Sequence, residues 1–248
     1  EKINKRTKAI MPVHWTGRVC NMDKIKFIAR KYNLKIIEDA AQGMGSYYKK
    51  VHAGSFSDVA AFSTHPLKNL NALGDGGFIT TNSKKIYTKI KLYRNHGMKK
   101  RDYVESYGVN SRLDVINAEI LKMRLKKLKS INDKRRSNVN IYRENLDNKY
   151  IKIPEDKKNE INSYVMLLSQ AEKRDSLQKY LSLNKIQSLV YYGTPLHLHK
   201  ATKKLGYKRG SLPMAEKLAA KVLALPHHQN LSKEQILYAC KKINSFYN

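Results

Sequence analysis

The stretch Phe62-Ser63-Thr64-His65-Pro66-Leu67-Lys68-Asn69-Leu70-Asn71-Ala72-Leu73-Gly74-Asp75-Gly76-Gly77 decides how this chain is read. A short apolar run ends near Phe62, one lysine follows at position 68, and a glycine turn leads into the next apolar run. A lysine that must carry a ligand is best held in this way, at the end of a rigid element and beside backbone that can approach closely. A second signal lies upstream in Ile36-Ile37-Glu38-Asp39-Ala40-Ala41-Gln42, where an apolar strand ends in a carboxylate. Asp39 and Lys68 are 68 − 39 = 29 residues apart, room for a strand-loop-strand passage that brings both to one rim.

Outward from this pair, the runs 8–13, 34–38, 59–62 and 77–81 are short and apolar, the pattern of strands covered on both faces. Residues 22–31 place Met22, Ile25, Ile28 and Ala29 at helical spacing, so the unit reads β-α-β and favours a mainly parallel sheet. Ser83 predicts the cap of a helix running to about Tyr93, with Ile86, Ile90 and Leu92 partly inward. From Leu113 to about Leu146 the pattern is helical, with Ile116, Ile120, Met123, Leu125 and Leu128 at recurring positions, and the tract is expected to bridge two domains. Beyond Pro154, 164–168 and 186–190 read as strands, and 172–181, 213–222 and 232–246 as helices. The expected division is therefore an α/β domain over 1–130, which includes the start of the bridging helix, and a smaller α/β domain over 131–248.

Several segments occur in a fixed order: Pro12-Val13-His14, Glu38-Asp39-Ala40-Ala41-Gln42, Gly54-Ser55-Phe56-Ser57-Asp58, His65-Pro66-Leu67-Lys68-Asn69, Gly74-Asp75-Gly76-Gly77, Asn110-Ser111-Arg112-Leu113-Asp114, Thr194-Pro195-Leu196-His197 and Pro213-Met214-Ala215-Glu216. In this order the chain resembles the pyridoxal-phosphate-dependent sugar aminotransferases of the DegT/DnrJ/EryC1/StrS family. A single lysine in one such string would be weak; the ordered set is specific. The resemblance implies an aspartate-aminotransferase-like (fold type I) architecture, with a large cofactor-binding domain and a small α/β domain. It also implies pyridoxal phosphate as cofactor, glutamate as amino donor, a nucleotide-linked keto-sugar as acceptor, and a homodimer with a shared active site. The chain begins without methionine, and its first matching segment lies well inside the family's large domain. A member lacking its amino-terminal part is therefore expected, without the opening helices, a loop that holds part of the cofactor phosphate, and the aromatic residue that stacks on the ring.

The resemblance assigns roles to single residues. Lys68 would bond to the cofactor and later move a proton, which needs an amine with a lowered pKa or a linkage that removes its charge. Asp39 would face the ring nitrogen and Gln42 the phenolic oxygen, with Ser63 on the phosphate. Asn110 would reach the phosphate of the neighbouring subunit, and Arg112 would take the donor's carboxylate through its planar fork. His65, Tyr192 and His197 fall on the substrate side. Here the chain departs from the family, carrying Tyr191-Tyr192-Gly193 where relatives often have His-Tyr-Pro. Read without the family, each residue has a plainer account. Lys68 is one of 49 Lys and Arg residues. Asp39 ends a strand and starts a turn, Ser63 satisfies local backbone, and Arg112 is a surface or helix-start arginine. His14, His65 and His197 lack ligand spacing, so no metal is expected and a satisfied structural histidine is the simpler account of each. The glycine run fits neither a phosphate loop nor a dinucleotide fingerprint.

Bulk properties narrow the remaining classes. A chain of 248 residues with 41% hydrophobic content and 16 tyrosines fits a globular protein. No apolar run approaches the roughly 20 residues that span a bilayer, and the basic start lacks the features of a signal peptide. Cys20 and Cys240 suggest neither a disulfide framework nor a zinc site, and a reducing cytoplasm is the simplest setting. The net charge of +29 raises the question of nucleic acid. The lysines are scattered, however, as at Lys122, Lys126, Lys127 and Lys129, and no nucleic-acid-binding motif accompanies them. A lysine-rich composition is the better account, and a milder functional reading stands open beside it, in which the positive field would steer a nucleotide-diphosphate substrate toward its cleft. Three rivals to the aminotransferase remain: a sugar dehydratase, against which Lys68 argues because histidine replaces that lysine there; a non-catalytic, regulatory or truncated inactive relative; and a nucleic-acid binder. The string from Lys68 to Gly77 most resembles members acting at the sugar's 3-position, whereas many 4-position members carry Gly-Glu-Gly-Gly.

Overall fold

The computed structural model describes residues 2–147 and 149–248. Two compact units are found, one formed by Glu1–Asp133 with Asp156–Val165 and the other by Lys134–Glu155 with Met166–Asn248.

In chain order the first unit begins with β1 (Ala9–Ile10), α1 (Met22–Lys31) and β2 (Lys35–Asp39). A hairpin of β3 (Tyr47–Tyr48) and β4 (Val51–His52) precedes β5 (Val59–Ser63) and β6 (Gly77–Thr80). Then follow α2 (Lys84–Tyr93), the hairpin of β7 (Met98–Lys100) and β8 (Tyr103–Val104), α3 (Val115–Leu125) and α4 (Leu128–Asn145). After β9 (Ile151–Lys152), the segment with β10 (Glu160–Ile161) belongs again to the first unit, where β10 pairs antiparallel with β3.

The central sheet has the order β1-β2-β5-β6. β1, β2 and β5 are parallel and β6 is antiparallel, with Asp39 opposite Ala61 and Ser63 opposite Gly77. Parallel pairing puts the carboxyl ends of β2 and β5 at one rim, where ligands of α/β sheets bind. Asp39 ends one strand there and Ser63 the other. α1 packs Met22 and Ala29 with Val19, Ile36, Tyr48 and Ala53 on one side of the sheet. Its first turn is held by Asn21, whose side chain accepts from Lys24 N at 3.1 Å. Ser83 does the same for α2, accepting from Ile86 N at 3.3 Å. Beneath the 64–73 loop, Leu70 and Ala72 pack against Leu121 and Leu128.

The second unit holds a three-stranded antiparallel sheet in which β11 (Leu167–Ala171) lies between β9 and β12 (Val222–Leu225). Around it lie α5 (Arg174–Leu183), α6 (Pro213–Lys221) and α7 (Lys233–Tyr247). Ser232 opens α7 with a reciprocal capping box to Gln235.

Three sequence expectations need correction. The 113–146 tract is helical as expected, as two helices broken after Leu125, but its inward stripe differs from the one expected. Leu121 and Leu128 are buried with Asn117, while Ile116, Met123 and Leu125 are exposed. Asn117 faces inward because its side chain accepts from Leu73 N at 3.1 Å, so a polar residue holds a position assigned to apolar ones. The strand expected at 164–168 starts only at Leu167. Ser163 N donates to Gly17 O and Val165 N to Thr16 O, which commits those residues to the first unit. The run 186–190 contributes only an isolated bridge of Leu189 with Ala224. Helix α6 matches the expected 213–222 to within one residue, and the buried run Val222-Leu223-Ala224-Leu225 that follows is a strand for which the sequence offered no reading. A short continuous apolar run reads equally as the tail of a buried helix.

Candidate active site

Lys68 sits in the loop from β5 to β6, whose backbone is closed at both ends. Thr64 N donates to Gly76 O at 2.8 Å, Ala72 N to Thr64 O at 2.7 Å, and Lys68 N to His65 O at 2.8 Å. Gly76 and Gly77 are required by close approach. A Cβ at Gly76 would meet Thr64 Oγ1 at 2.7 Å, and one at Gly77 would meet Phe62 O at 2.4 Å. The lysine is half-buried, and burial lowers its pKa while the charge of Asp39 pulls it back up. Among the described residues no hydrogen bond or ion pair holds the Lys68 ammonium. The structure thus brings together an amine with unspent donors and a carboxylate close enough to feel its charge.

Asp39 is fixed by its neighbours. Its backbone N donates to Pro12 O at 2.9 Å, and its Oδ1 accepts from Ala41 N at 3.1 Å, so one carboxylate oxygen is tied to the turn. Gln42 follows in that turn, its Oε1 accepting from Thr16 N at 2.5 Å. That bond fixes which way the amide faces and leaves the Nε2 hydrogens as donors. The Ser63 hydroxyl accepts from His65 N at 3.3 Å. His65 is partly exposed, with Nδ1 accepting from Leu67 N at 3.1 Å and Nε2 lying 3.9 Å from Asp75. A cofactor with an aldehyde, a basic ring nitrogen and a phosphate fits this donor and acceptor set, because among the described residues the Lys68 amine and Asp39 Oδ2 have no hydrogen-bond partner and the Ser63 hydroxyl keeps its hydrogen to donate.

Asn110 and Arg112 lie on an exposed edge of the same unit. Asn110 forms an isolated bridge with Asn95, and Arg112 Nη2 donates to Asn95 Oδ1 at 2.9 Å. The remaining sequence choices belong to the second unit. Tyr192 is 60% exposed with a positive φ of 59°, and His197 is buried with Nε2 3.0 Å from Glu216 Oε1.

Sequence reasoning missed two features. The first is the pair beneath Asp39, in which His14 and Glu38 are both fully buried and meet at 2.7 Å. Glu38 also accepts from Gly54 N, Phe56 N and Ser57 Oγ at 2.7–2.9 Å. Burial opposes its charge, but these bonds and His14 hold its pKa below the usual carboxylate range. A histidine and a glutamate in two separate motif segments were the only signal of this pair. The second feature is a set of buried amides around Asn69, which no periodicity marks. Among the described residues, no cluster of three or more His, Cys, Asp or Glu could hold a metal ion. No helix among them is long and apolar enough to cross a membrane.

Residues 1–244 match the model of the DegT/DnrJ/EryC1/StrS aminotransferase family. The chain is 38% identical over 246 residues to a dTDP-3-amino-3,6-dideoxy-alpha-D-galactopyranose transaminase of Aneurinibacillus thermoaerophilus, covering 99% of this chain and 67% of that protein. It is also 38% identical over 248 residues to a pleiotropic regulatory protein of Geobacillus stearothermophilus, covering 99% and 67%. Among solved structures, S. venezuelae DesV in complex with a ketimine intermediate superposes with a TM-score of 0.95 at 34% identity, covering 98% of this chain and 66% of that one. The chain thus spans about two thirds of the length of these relatives.

Proposed function

This chain belongs to the DegT/DnrJ/EryC1/StrS aminotransferase family, and we propose that it transfers an amino group from glutamate to a nucleotide-linked keto-sugar in amino-sugar biosynthesis. The observation that carries this reading is the half-buried amine of Lys68, without a partner among the described residues and within the field of Asp39 at the carboxyl rim of a parallel sheet.

Pyridoxal phosphate, when bound, supplies a carbonyl that takes up amines and a ring that accepts electrons. This chain's residues do the rest. Burial lowers the Lys68 pKa, so more of the neutral amine is available to bond and then to carry a proton. Asp39 stabilises a protonated ring nitrogen with its free oxygen, its other oxygen being anchored to Ala41 N. Gln42, fixed by Thr16, presents its Nε2 hydrogens to the ring oxygen. Ser63 keeps its own hydrogen to donate to the phosphate, because its oxygen accepts from His65 N. Asn110 reaches the phosphate of a second copy, which makes the working form a homodimer, and Arg112 forks onto the donor carboxylate. His65, Tyr192 and His197 stand on the substrate side, although His197 already spends Nε2 on Glu216.

The 3-keto position of the sugar is supported by the string from Lys68 to Gly77 and by the 3-amino-sugar relative. The deciding experiment incubates the protein with pyridoxal phosphate, glutamate and nucleotide-linked 3-keto or 4-keto sugars. Amino-sugar formation with 2-oxoglutarate release from the 3-keto substrate is the expected result. Cofactor binding without any response to glutamate would favour the second reading, a regulator that retains the cofactor, for which the similarity to a pleiotropic regulatory protein speaks.

A further inference from the structure

Asn69 follows Lys68 and is 4% exposed, an unusual place for a primary amide. Both of its Nδ2 hydrogens are spent, one on Asn132 Oδ1 at 2.6 Å and the other on Ser163 O at 2.7 Å. Neither acceptor ends the chain of bonds. Asn132, 2% exposed, donates from Nδ2 to Met44 O at 3.2 Å. Ser163, fully buried, donates from Oγ to Gln42 O at 3.2 Å, and Ser46 Oγ donates to Gly17 O at 2.6 Å within the same cluster. Two routes therefore lead from the residue beside Lys68 to the turn that carries Asp39 and Gln42. One runs through Asn132 to Met44, the other through Ser163 to Gln42 itself.

From this geometry we infer that Asn69 is the positioning residue that sets Lys68 against Asp39, by knotting the lysine loop to the Asp39–Gln42 turn through Asn132 and the returning 156–165 segment. Three further observations support this assignment. Arg124 Nη1 donates to Asn71 O at 2.5 Å and Asn117 Oδ1 accepts from Leu73 N, so the loop beyond Lys68 is pinned to α3, while toward the turn the Asn69 amide supplies the hydrogen bonds and Met44 packs with Leu70 and Ala72. The knot also explains why residues 156–165 fold with the first unit, since Ser163 supplies an acceptor to Asn69 and a donor to Gln42. Finally, Asn69 Oδ1 and Thr64 Oγ1 are buried without a hydrogen-bond partner among the described residues. An unpaired buried acceptor is costly, and an apolar residue would avoid that cost. An amide kept here despite it serves geometry better than stability.

The inference rests on Lys68 being the cofactor lysine, but its test does not need the cofactor. Lysines are labelled competitively with a trace amine reagent across a pH series, and Lys68 reactivity is read by peptide mapping against exposed lysines such as Lys122. The variants are Asn69→Leu, the double leucine variant Asn69→Leu/Asn132→Leu, and the milder Asn132→Ser, which removes one of the amide's two acceptors. The double variant replaces both members of the Asn69–Asn132 pair by apolar groups, which can be nearly neutral for the pair itself, while Ser163 O and Met44 O each lose a donor; thermal unfolding measures that cost.

In the wild type, Lys68 should titrate below the exposed lysines. In both leucine variants its midpoint should move by about 0.5 pH unit or more, because the burial that lowers it and the Asp39 charge that raises it both depend on where the amine is held, with a smaller shift in Asn132→Ser. A Lys68 profile unchanged in a folded double variant, or in Asn132→Ser should the leucine variants fail to fold, overturns the inference. A purely structural Asn69 would lower the unfolding temperature and leave the Lys68 midpoint in place. Loss of the aminotransferase reading would appear separately, as failure of the wild type to take up pyridoxal phosphate.

Discussion

His14 Nε2 and Glu38 Oε2 meet at 2.7 Å with neither side chain exposed to solvent. Glu38 precedes Asp39 on β2, and successive strand residues point to opposite faces. One carboxylate is therefore turned into the protein, where it joins His14 to the backbone N–H groups of Gly54 and Phe56 and to the Ser57 hydroxyl. The other sits at the rim, within reach of the charge on Lys68. The buried pair holds the strand on which Asp39, the carboxylate proposed to serve the cofactor, stands.

Breaking that pair should destabilise the first unit. Removing one partner of a buried, hydrogen-bonded ion pair costs about 3–5 kcal/mol, so Glu38→Gln should lower the denaturant midpoint markedly. The pH dependence has two arms. The depressed pKa of Glu38 gives stability that is present above the unfolded value of about 4.3 and lost as pH falls through the folded value. The His14 pKa is raised to about 9, since bonds with Cys20 and Glu38 outweigh burial. Its contribution is full below about 6.5 and lost as pH rises through about 9. Wild-type stability should therefore plateau between these arms, and Glu38→Gln should flatten the alkaline one. An identical alkaline loss in both proteins would count against the pair.

Replacing Asp39 by asparagine should move Lys68 as well as slow transfer. Asp39 raises the Lys68 pKa against the lowering by burial, so Asp39→Asn should shift the labelling midpoint of Lys68 downward. Amino transfer should fall by about 100- to 1,000-fold, the range for losing one preorganised electrostatic partner. An unmoved midpoint would separate the two residues.

Gly17→Ala should be poorly tolerated. Gly17 has φ +91°, and a Cβ there would meet Ser163 Oγ at 2.2 Å and Tyr164 N at 2.9 Å. Backbone strain and displacement of the 156–165 segment together should cost about 2–4 kcal/mol in urea unfolding. A loss below about 0.5 kcal/mol would mean that this segment is loosely held.

Ser232→Ala tests the second unit by itself. It removes one half of the capping box that opens α7 and should cost about 1 kcal/mol. The Lys68 labelling profile should not change, since both residues of the box lie in the second unit.

Much of the sheet was legible because its strands and first helix obey local rules. Asn21 and Ser83 cap where capping residues should, and 22–31 and 84–93 become helices at those bounds. Lys68 and Asp39 were legible from strand ends, because a parallel sheet brings such ends together. What escaped depends on tertiary partners. Asn117 faces inward to serve the backbone of Leu73, a role that helical spacing cannot announce. Residues 163–165 look like the start of a strand, yet their amides and carbonyls are taken by Thr16, Gly17 and Asn69. The strand 222–225 carries no sequence signal of its own, because burial on all sides erases periodicity, and only its first residue falls within the expected helix 213–222.

The central claim is most directly tested by adding pyridoxal phosphate to the purified protein, following absorbance, reducing with borohydride and mapping the labelled peptide. A visible band that bleaches on adding glutamate, with the reduced adduct on Lys68, is the predicted result. Absence of the band, or label scattered over many of the surface lysines, would contradict it.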